Sequence, residues 1–179
     1  MKTHLWCLWS GTKINAKMQI SVHNKTLDLS TPQVMGILNV TPDSVYAGSR
    51  KQTEQEIAER TNQIILEGGK IIDVGAFSTG PGSADVSEEE ELLRMRNGLA
   101  IVRREQPDAL VSIDTFRPSV ARMAVEEFGA DIINDISEGR GYYNNTSNEN
   151  AKVDVDANEN EPSDILLEVA RLQVPYILM

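Results

Sequence analysis

The chain has 179 residues, 40% hydrophobic and 25% charged, enough for one domain with a sizeable core. A formal net charge of −10 and a pI of about 4.7 argue against the basic face that nucleic-acid binding needs. The single cysteine, Cys7, excludes an internal disulfide and fits a reducing, cytoplasmic setting, and no apolar run reaches the roughly 18 residues of a membrane-spanning helix.

Residues 1–17 read as a disordered or non-native extension with no role in the fold. Their apolar stretch is too short for a signal peptide and no small-residue cleavage site follows it. A second methionine, Met18, precedes two period-two segments, residues 19–22 and 26–29, joined by His23-Asn24-Lys25, which predicts a short β-hairpin. The nearly continuous apolar run 34–40 suits a strand buried on both faces. After a loop over 41–49, Thr53-Glu54-Gln55-Glu56 reads as a capping box, with Ile57, Thr61, Ile64 and Ile65 at helical spacing and Gly68-Gly69 as the stop.

The unit then recurs. Residues 70–74 form a second strand, and 75–86 a loop rich in Gly, Ser and Pro. Ser87-Glu88-Glu89-Glu90 caps a helix with a stripe of Leu92, Met95, Leu99 and Val102. A third strand covers 110–114, Pro118 falls in the first turn of a third helix, and a fourth strand covers 130–135. Residues 139–162 are rich in Asn, Asp and Glu and read as a disordered insertion. A fourth helix over 163–172 leads to a fifth strand beginning at Val174, and the reading expects further chain beyond Met179. Alternating strands and helices predict an α/β fold with parallel strands and right-handed crossovers, either an open doubly wound sheet or a (β/α)8 TIM barrel. A barrel takes about 250 residues. The chain would then hold the first four β/α units plus strand five, preceded by the hairpin, over residues 18–179.

Four strands end in a polar residue: Asn39, Asp73, Asp114 and Asn134. At the C-terminal mouth of a barrel these would share one pocket, able to read a ring that offers both donors and acceptors. Ser78-Thr79-Gly80-Pro81-Gly82-Ser83 offers hydroxyls and backbone N–H groups to an anion, but it is neither a P-loop nor a dinucleotide fingerprint. His4 and His23 fall outside the repeated units, so any metal would be a hard, oxygen-bound ion such as Mg²⁺.

Three motifs resemble dihydropteroate synthase, a family with a pterin-binding barrel. They are Met35-Gly36-Ile37-Leu38-Asn39-Val40-Thr41-Pro42-Asp43-Ser44; Ile71-Ile72-Asp73-Val74-Gly75 with Ser78-Thr79 and Pro81-Gly82; and Ser112-Ile113-Asp114-Thr115 with Ile132-Ile133-Asn134-Asp135-Ile136-Ser137. The resemblance implies condensation of 6-hydroxymethyl-7,8-dihydropterin diphosphate with 4-aminobenzoate, by a homodimer when full length. It implies that Asp114 and Asn134 bond the pterin ring and that Asp73 supports that end of the pocket. Ser78, Thr79 and Pro81 would contact substrate, Asn39 would help hold Mg²⁺, and Asp43 would join Asp73 as a catalytic carboxylate. The chain departs from the family pattern at Val45, where Phe is usual, at Gly80, where Arg is usual, and at Phe77, where the family commonly has an acidic or polar residue. Further family residues would lie past the fifth strand, so the expected activity of residues 1–179 alone is little or none. The rivals are a methyltetrahydrofolate:corrinoid methyltransferase-type domain, which lacks the Asn39–Ser44 motif, and a non-catalytic or decayed pterin-binding module.

Overall fold

The computed structural model describes residues 18–22, 25–40, 50–77, 86–141 and 162–179, with backbone alone for 50–53. The predicted extension (1–17), both loops (41–49 and 78–85) and most of the insertion (142–161) lie outside the described residues.

A two-stranded antiparallel hairpin, β1 (Gln19–Val22) and β2 (Lys25–Asp28), precedes a five-stranded parallel sheet. Its strands are β3 (Met35–Asn39), β4 (Ile71–Gly75), β5 (Leu110–Asp114), β6 (Ile132–Asp135) and β7 (Tyr176–Leu178), in sequential spatial order. Sequential order with no reversal is the order of a barrel wall, whereas a doubly wound sheet reverses at a switch point. The crossovers are α1 (Arg50–Leu66), α2 (Glu88–Glu105), α3 (Pro118–Phe128) and α4 (Asp164–Leu172). Each helix packs on the next, and one core joins them to the sheet's outer face, through Leu38, Ile72, Val74, Val111, Ile113 and Ile133.

The local signals account for the helix boundaries. Ser87 Oγ accepts from Glu90 N (3.3 Å) and Ser163 Oγ accepts from Leu166 N (3.4 Å), each capping its helix. Pro118 occupies the first turn of α3, and Gly129 ends that helix in the left-handed region (φ +62°). One boundary differs from expectation. Helix α1 begins at Arg50, so Thr53 lies inside the helix and is no N-cap. The stripe that places this helix, Ile57, Thr61 and Ile64, is buried as its spacing requires.

The inner face of the sheet grades from apolar to polar. At the N-terminal end Met35, Ile71 and Leu110 pair in one row. Together with Ile132 they pack under Ile20, Leu27 and Leu29, so the hairpin floors the barrel wall. Lys25 fastens this floor, donating to the Ala109 carbonyl (3.2 Å) and lying 3.5 Å from the Asp131 carboxylate. Polar residues enter in the middle row, where Asp73 and Ser112 lie between Ile37 and Ile132, and dominate the row above it from β3 to β6, which leaves the C-terminal end for chemistry.

Candidate functional site

The strand register places Asn39, Gly75, Asp114 and Asn134 in a single row across β3, β4, β5 and β6. This corrects the expectation of four polar strand ends in register. Asp73 is mid-strand and pairs with Ile37 and Ser112, one pleat below that row. Asp73 and Gly75 are two positions apart on the strand, so both face the same side. Gly75 therefore leaves a gap in the upper row directly above the Asp73 carboxylate. A Cβ at Gly75 would sit 3.3 Å from Asn39 Oδ1 and 3.4 Å from Asp114 Oδ2, so these two groups lean over the glycine from either side.

Asn134 Nδ2 donates to Asp73 Oδ2 at 3.0 Å, a buried bond that joins residues far apart in sequence. The remaining oxygens, Asp73 Oδ1 and Asn134 Oδ1, and Ser112 Oγ between them, are buried with no hydrogen-bond partner among the described residues. Half-buried Asp114 stands beside this pair. Burial, followed by the negative charges of Asp73, Glu91 and Asp135, pushes its carboxyl up to about 6. The inner face thus concentrates acceptors that lack donors, a poor arrangement for an empty core and a suitable one for a ring bearing N–H groups.

Two supporting clusters were not evident from the sequence. Asp135 follows Asn134 but points to the opposite face, where it accepts from the backbone N–H groups of Ser137 (2.7 Å) and Gly139 (3.2 Å) and from the Tyr176 hydroxyl. Burial and the Asp135 carboxylate hold the Tyr176 phenol well above its usual value. Glu91, on α2, is fully buried and accepts from Arg117 Nη1 (2.6 Å) and Thr115 Oγ1 (2.9 Å). Burial raises the Glu91 carboxyl, and the bonds from Thr115 and Arg117 oppose that rise. The only sequence signal for Glu91 is its place among four consecutive glutamates, which reads as helix-dipole complement rather than as a buried anchor.

Asn39 is exposed at the end of β3, a single neutral oxygen donor on the rim. Among the described residues no three His, Cys, Asp or Glu side chains are grouped to hold a metal ion. Mg²⁺ commonly keeps several waters and takes one or two protein oxygens together with substrate phosphates. Among the described residues, Asn39 alone is too small a donor set to form a resident metal centre, and one neutral oxygen is compatible with a Mg²⁺ held mainly by substrate phosphates. Asp43, Ser78, Thr79 and Pro81 lie outside the described residues, as do Val45 and Gly80.

Residues 35–175 match the family described as pterin binding enzyme. The chain is 43% identical over 119 residues to dihydropteroate synthase of Escherichia coli, covering 66% of this chain and 42% of that protein. A solved Xanthomonas albilineans dihydropteroate synthase with 4-aminobenzoic acid superposes with a TM-score of 0.69 at 32% identity, over 90% of this chain and 51% of that one. For an Anaplasma phagocytophilum dihydropteroate synthase with bound 6-hydroxymethylpterin-monophosphate the TM-score is 0.62 at 29% identity, over 82% and 48% of the two chains. The chain therefore spans about half the length of these solved relatives, or less for the curated one. With the motifs, the sequential parallel sheet and the acceptor-rich inner face all in agreement, the chain belongs to the pterin-binding enzymes, the family of dihydropteroate synthase.

Proposed function

We propose that this chain is the pterin-recognising portion of a dihydropteroate synthase, a transferase of folate biosynthesis. The reaction joins 6-hydroxymethyl-7,8-dihydropterin diphosphate to 4-aminobenzoate, giving 7,8-dihydropteroate and diphosphate. The observation that carries the proposal is the pair of partnerless buried oxygens, Asp73 Oδ1 and Asn134 Oδ1, beside Asp114. A pterin offers a 2-amino group and an adjacent ring N–H, two donors on one edge. Leaving a buried acceptor unmatched costs about 1–3 kcal/mol, which such an edge would recover. The ligands named for the Xanthomonas and Anaplasma relatives support the same pair of substrates.

The proposed chemistry needs no protein nucleophile. The C–O bond to diphosphate breaks with its electron pair, leaving a resonance-stabilised pterin methylene cation. The arylamine nitrogen then forms the new C–N bond and loses a proton. Asp73 and Asn134 fix the ring, and the ionised Asp114 carboxylate favours the developing positive charge in a site of low dielectric. Asn39, on the rim, would contact the Mg²⁺ that neutralises diphosphate. Asp43, Ser78, Thr79 and Pro81 would complete the site from the two loops, excluding water that would otherwise capture the cation. The cytoplasmic setting, the lack of a nucleic-acid partner and the homodimer of the full-length protein belong to the same proposal. No helix among the described residues is long and apolar enough to cross a membrane.

A thermal-shift titration tests the reading. Millimolar-range 6-hydroxymethylpterin should raise the Tm of residues 1–179 and should leave Asn134→Ala unmoved, because binding to the native state alone stabilises it. An equal shift in both proteins, or none in the wild type, would remove the basis for the assignment.

A further inference from the structure

Asp73 and Asn134 are joined by a buried hydrogen bond, so each aims the other. Asp114 has no such support. Burial and neighbouring charges act on its carboxyl, and among the described residues no hydrogen bond holds it. Its direction therefore has to come from its own backbone at the end of β5.

The next residue, Thr115, fixes that backbone from three sides. Its N–H donates to the Asn134 carbonyl at 3.0 Å, which carries the β5–β6 pairing one residue past Asp114. Its side chain leaves the sheet on the face opposite to Asp114. There the hydroxyl donates to Glu91 Oε1 at 2.9 Å and accepts from the Arg117 backbone N–H at 3.2 Å. Thr115 and both partners are buried, and Arg117 Nη1 occupies the other Glu91 oxygen at 2.6 Å. Arg117 is the N-cap of α3 and offers that helix no side-chain cap, so the Thr115 hydroxyl also satisfies the first backbone group of the turn into it. Glu91 is the one charged side chain among the buried residues of α2. A buried ion pair adds little stability over apolar packing of the same volume. What this pair does secure is the residue that follows Asp114.

We propose that Thr115 is a positioning residue for ring recognition: held between Glu91 and the start of α3, its hydroxyl fixes the peptide after Asp114 and so aims the Asp114 carboxylate at the inner face beside Asp73 and Asn134. Glu91, on a helix outside the sheet, reaches the site through this hydroxyl. The consequence for ligand binding rests on the proposed pterin recognition, whereas the aiming of Asp114 does not.

Thr115→Val keeps the shape and removes both hydroxyl bonds, Thr115→Ser retains them, and Thr115→Cys offers only a weak donor and acceptor. Two readouts on residues 1–179 separate aim from stability. The first follows the Asp114 carboxyl by carbon-13 NMR without ligand. Burial raises this group first, then the charges of Asp73 on β4, Glu91 on α2 and Asp135 on β6, while Arg117 at the start of α3 is paired with Glu91. Its midpoint, about 6 in wild type, should fall towards 3.8 in Thr115→Val, where the released carboxyl turns out to water, and should hold in Thr115→Ser. The second readout is calorimetric titration with 6-hydroxymethylpterin. Thr115→Val should bind roughly tenfold more weakly and Thr115→Ser like wild type, and in an Asp114→Asn background Thr115→Val should add no further loss, because the two residues act as one unit. An unchanged carboxyl midpoint in Thr115→Val, or an equal loss of affinity with Asp114→Asn already present, overturns the positioning role and leaves Thr115 a general structural residue. Should Thr115→Val not fold, Thr115→Cys against Thr115→Ser makes the same comparison: a lower midpoint and weaker binding in Thr115→Cys support the role, and equality of the two overturns it. A wild-type chain that binds no pterin overturns the pterin reading, and the carboxyl titration then decides the aiming of Asp114 alone.

Discussion

Asp114 carries the clearest chemical signature of any single residue in the site. Its carboxyl is pushed up to about 6 from an ordinary value of 3.8, so the folded chain holds this proton more tightly than the unfolded chain does. The stability it contributes is fully present below about pH 4 and is lost as pH rises through about 6. Asp114→Asn should therefore gain stability relative to wild type between about pH 4 and pH 7, read from urea midpoints at each pH. Binding runs in the opposite sense. Ring N–H donors favour the carboxylate, so pterin affinity should increase as pH rises through about 6, and Asp114→Asn should flatten that dependence in a fluorescence titration. Gly75 offers a second test. Gly75→Ala places a methyl 3.3 Å from Asn39 Oδ1, which must give slightly, and 3.4 Å from Asp114 Oδ2, at the edge of ordinary contact, so it fills the gap between the two groups. Pterin affinity should fall several-fold, with little change in the unfolding midpoint. Asp114, Asn134 and Asn39 were legible in the sequence as polar residues ending apolar runs. The place of Asp73 was not, because a one-pleat offset is set by register, and register depends on pairing with β3 and β5. Glu91 and Arg117 were hidden for a different reason. Each looks like a surface charge, and only their mutual distance shows that they are buried together.

The elements were largely visible as patterns. The buried strands read as apolar runs, and Ser87, Pro118 and Ser163 marked helix starts by mechanisms that depend on neighbouring backbone groups alone. The start of α1 was misjudged because Thr53-Glu54-Gln55-Glu56 has a capping-box spelling that also suits a helix interior. The hairpin's task was not visible, since it follows from the long-range packing of Leu27 against Ile71 and Ile132. Leu27→Ala should cost about 2–3 kcal/mol by loss of burial and creation of a cavity beneath the barrel wall, measured by urea denaturation. A cost below about 0.5 kcal/mol would show that the hairpin is an ornament on the sheet and no floor.

The whole molecule is an arc of barrel wall, helices outside and an acceptor-rich inner face within. Among the described residues β3 and β7 each pair on one side only. Large apolar side chains stand exposed along these strands and their ends: Val34, Ile37, Leu178 and Met179. Open strand edges with exposed apolar groups promote pairing between chains. Residues 1–179 in isolation should therefore associate with increasing concentration in sedimentation velocity, and Ile37→Lys, which puts a charge on the inner face, should reduce that association. The barrel order was legible only as one of two options in the alternation of strands and helices, and the sequential strand order decides between them. The central claim, that Asp73 and Asn134 together with Asp114 read a pterin ring, is tested most directly by calorimetric titration of 6-hydroxymethylpterin into wild type, Asp73→Asn, Asn134→Ala and the double variant. The account predicts wild-type binding, a loss of roughly tenfold or more in each single variant, and a double variant little worse than either, because the two side chains act as one hydrogen-bonded unit. Wild-type affinity retained in both single variants would contradict it.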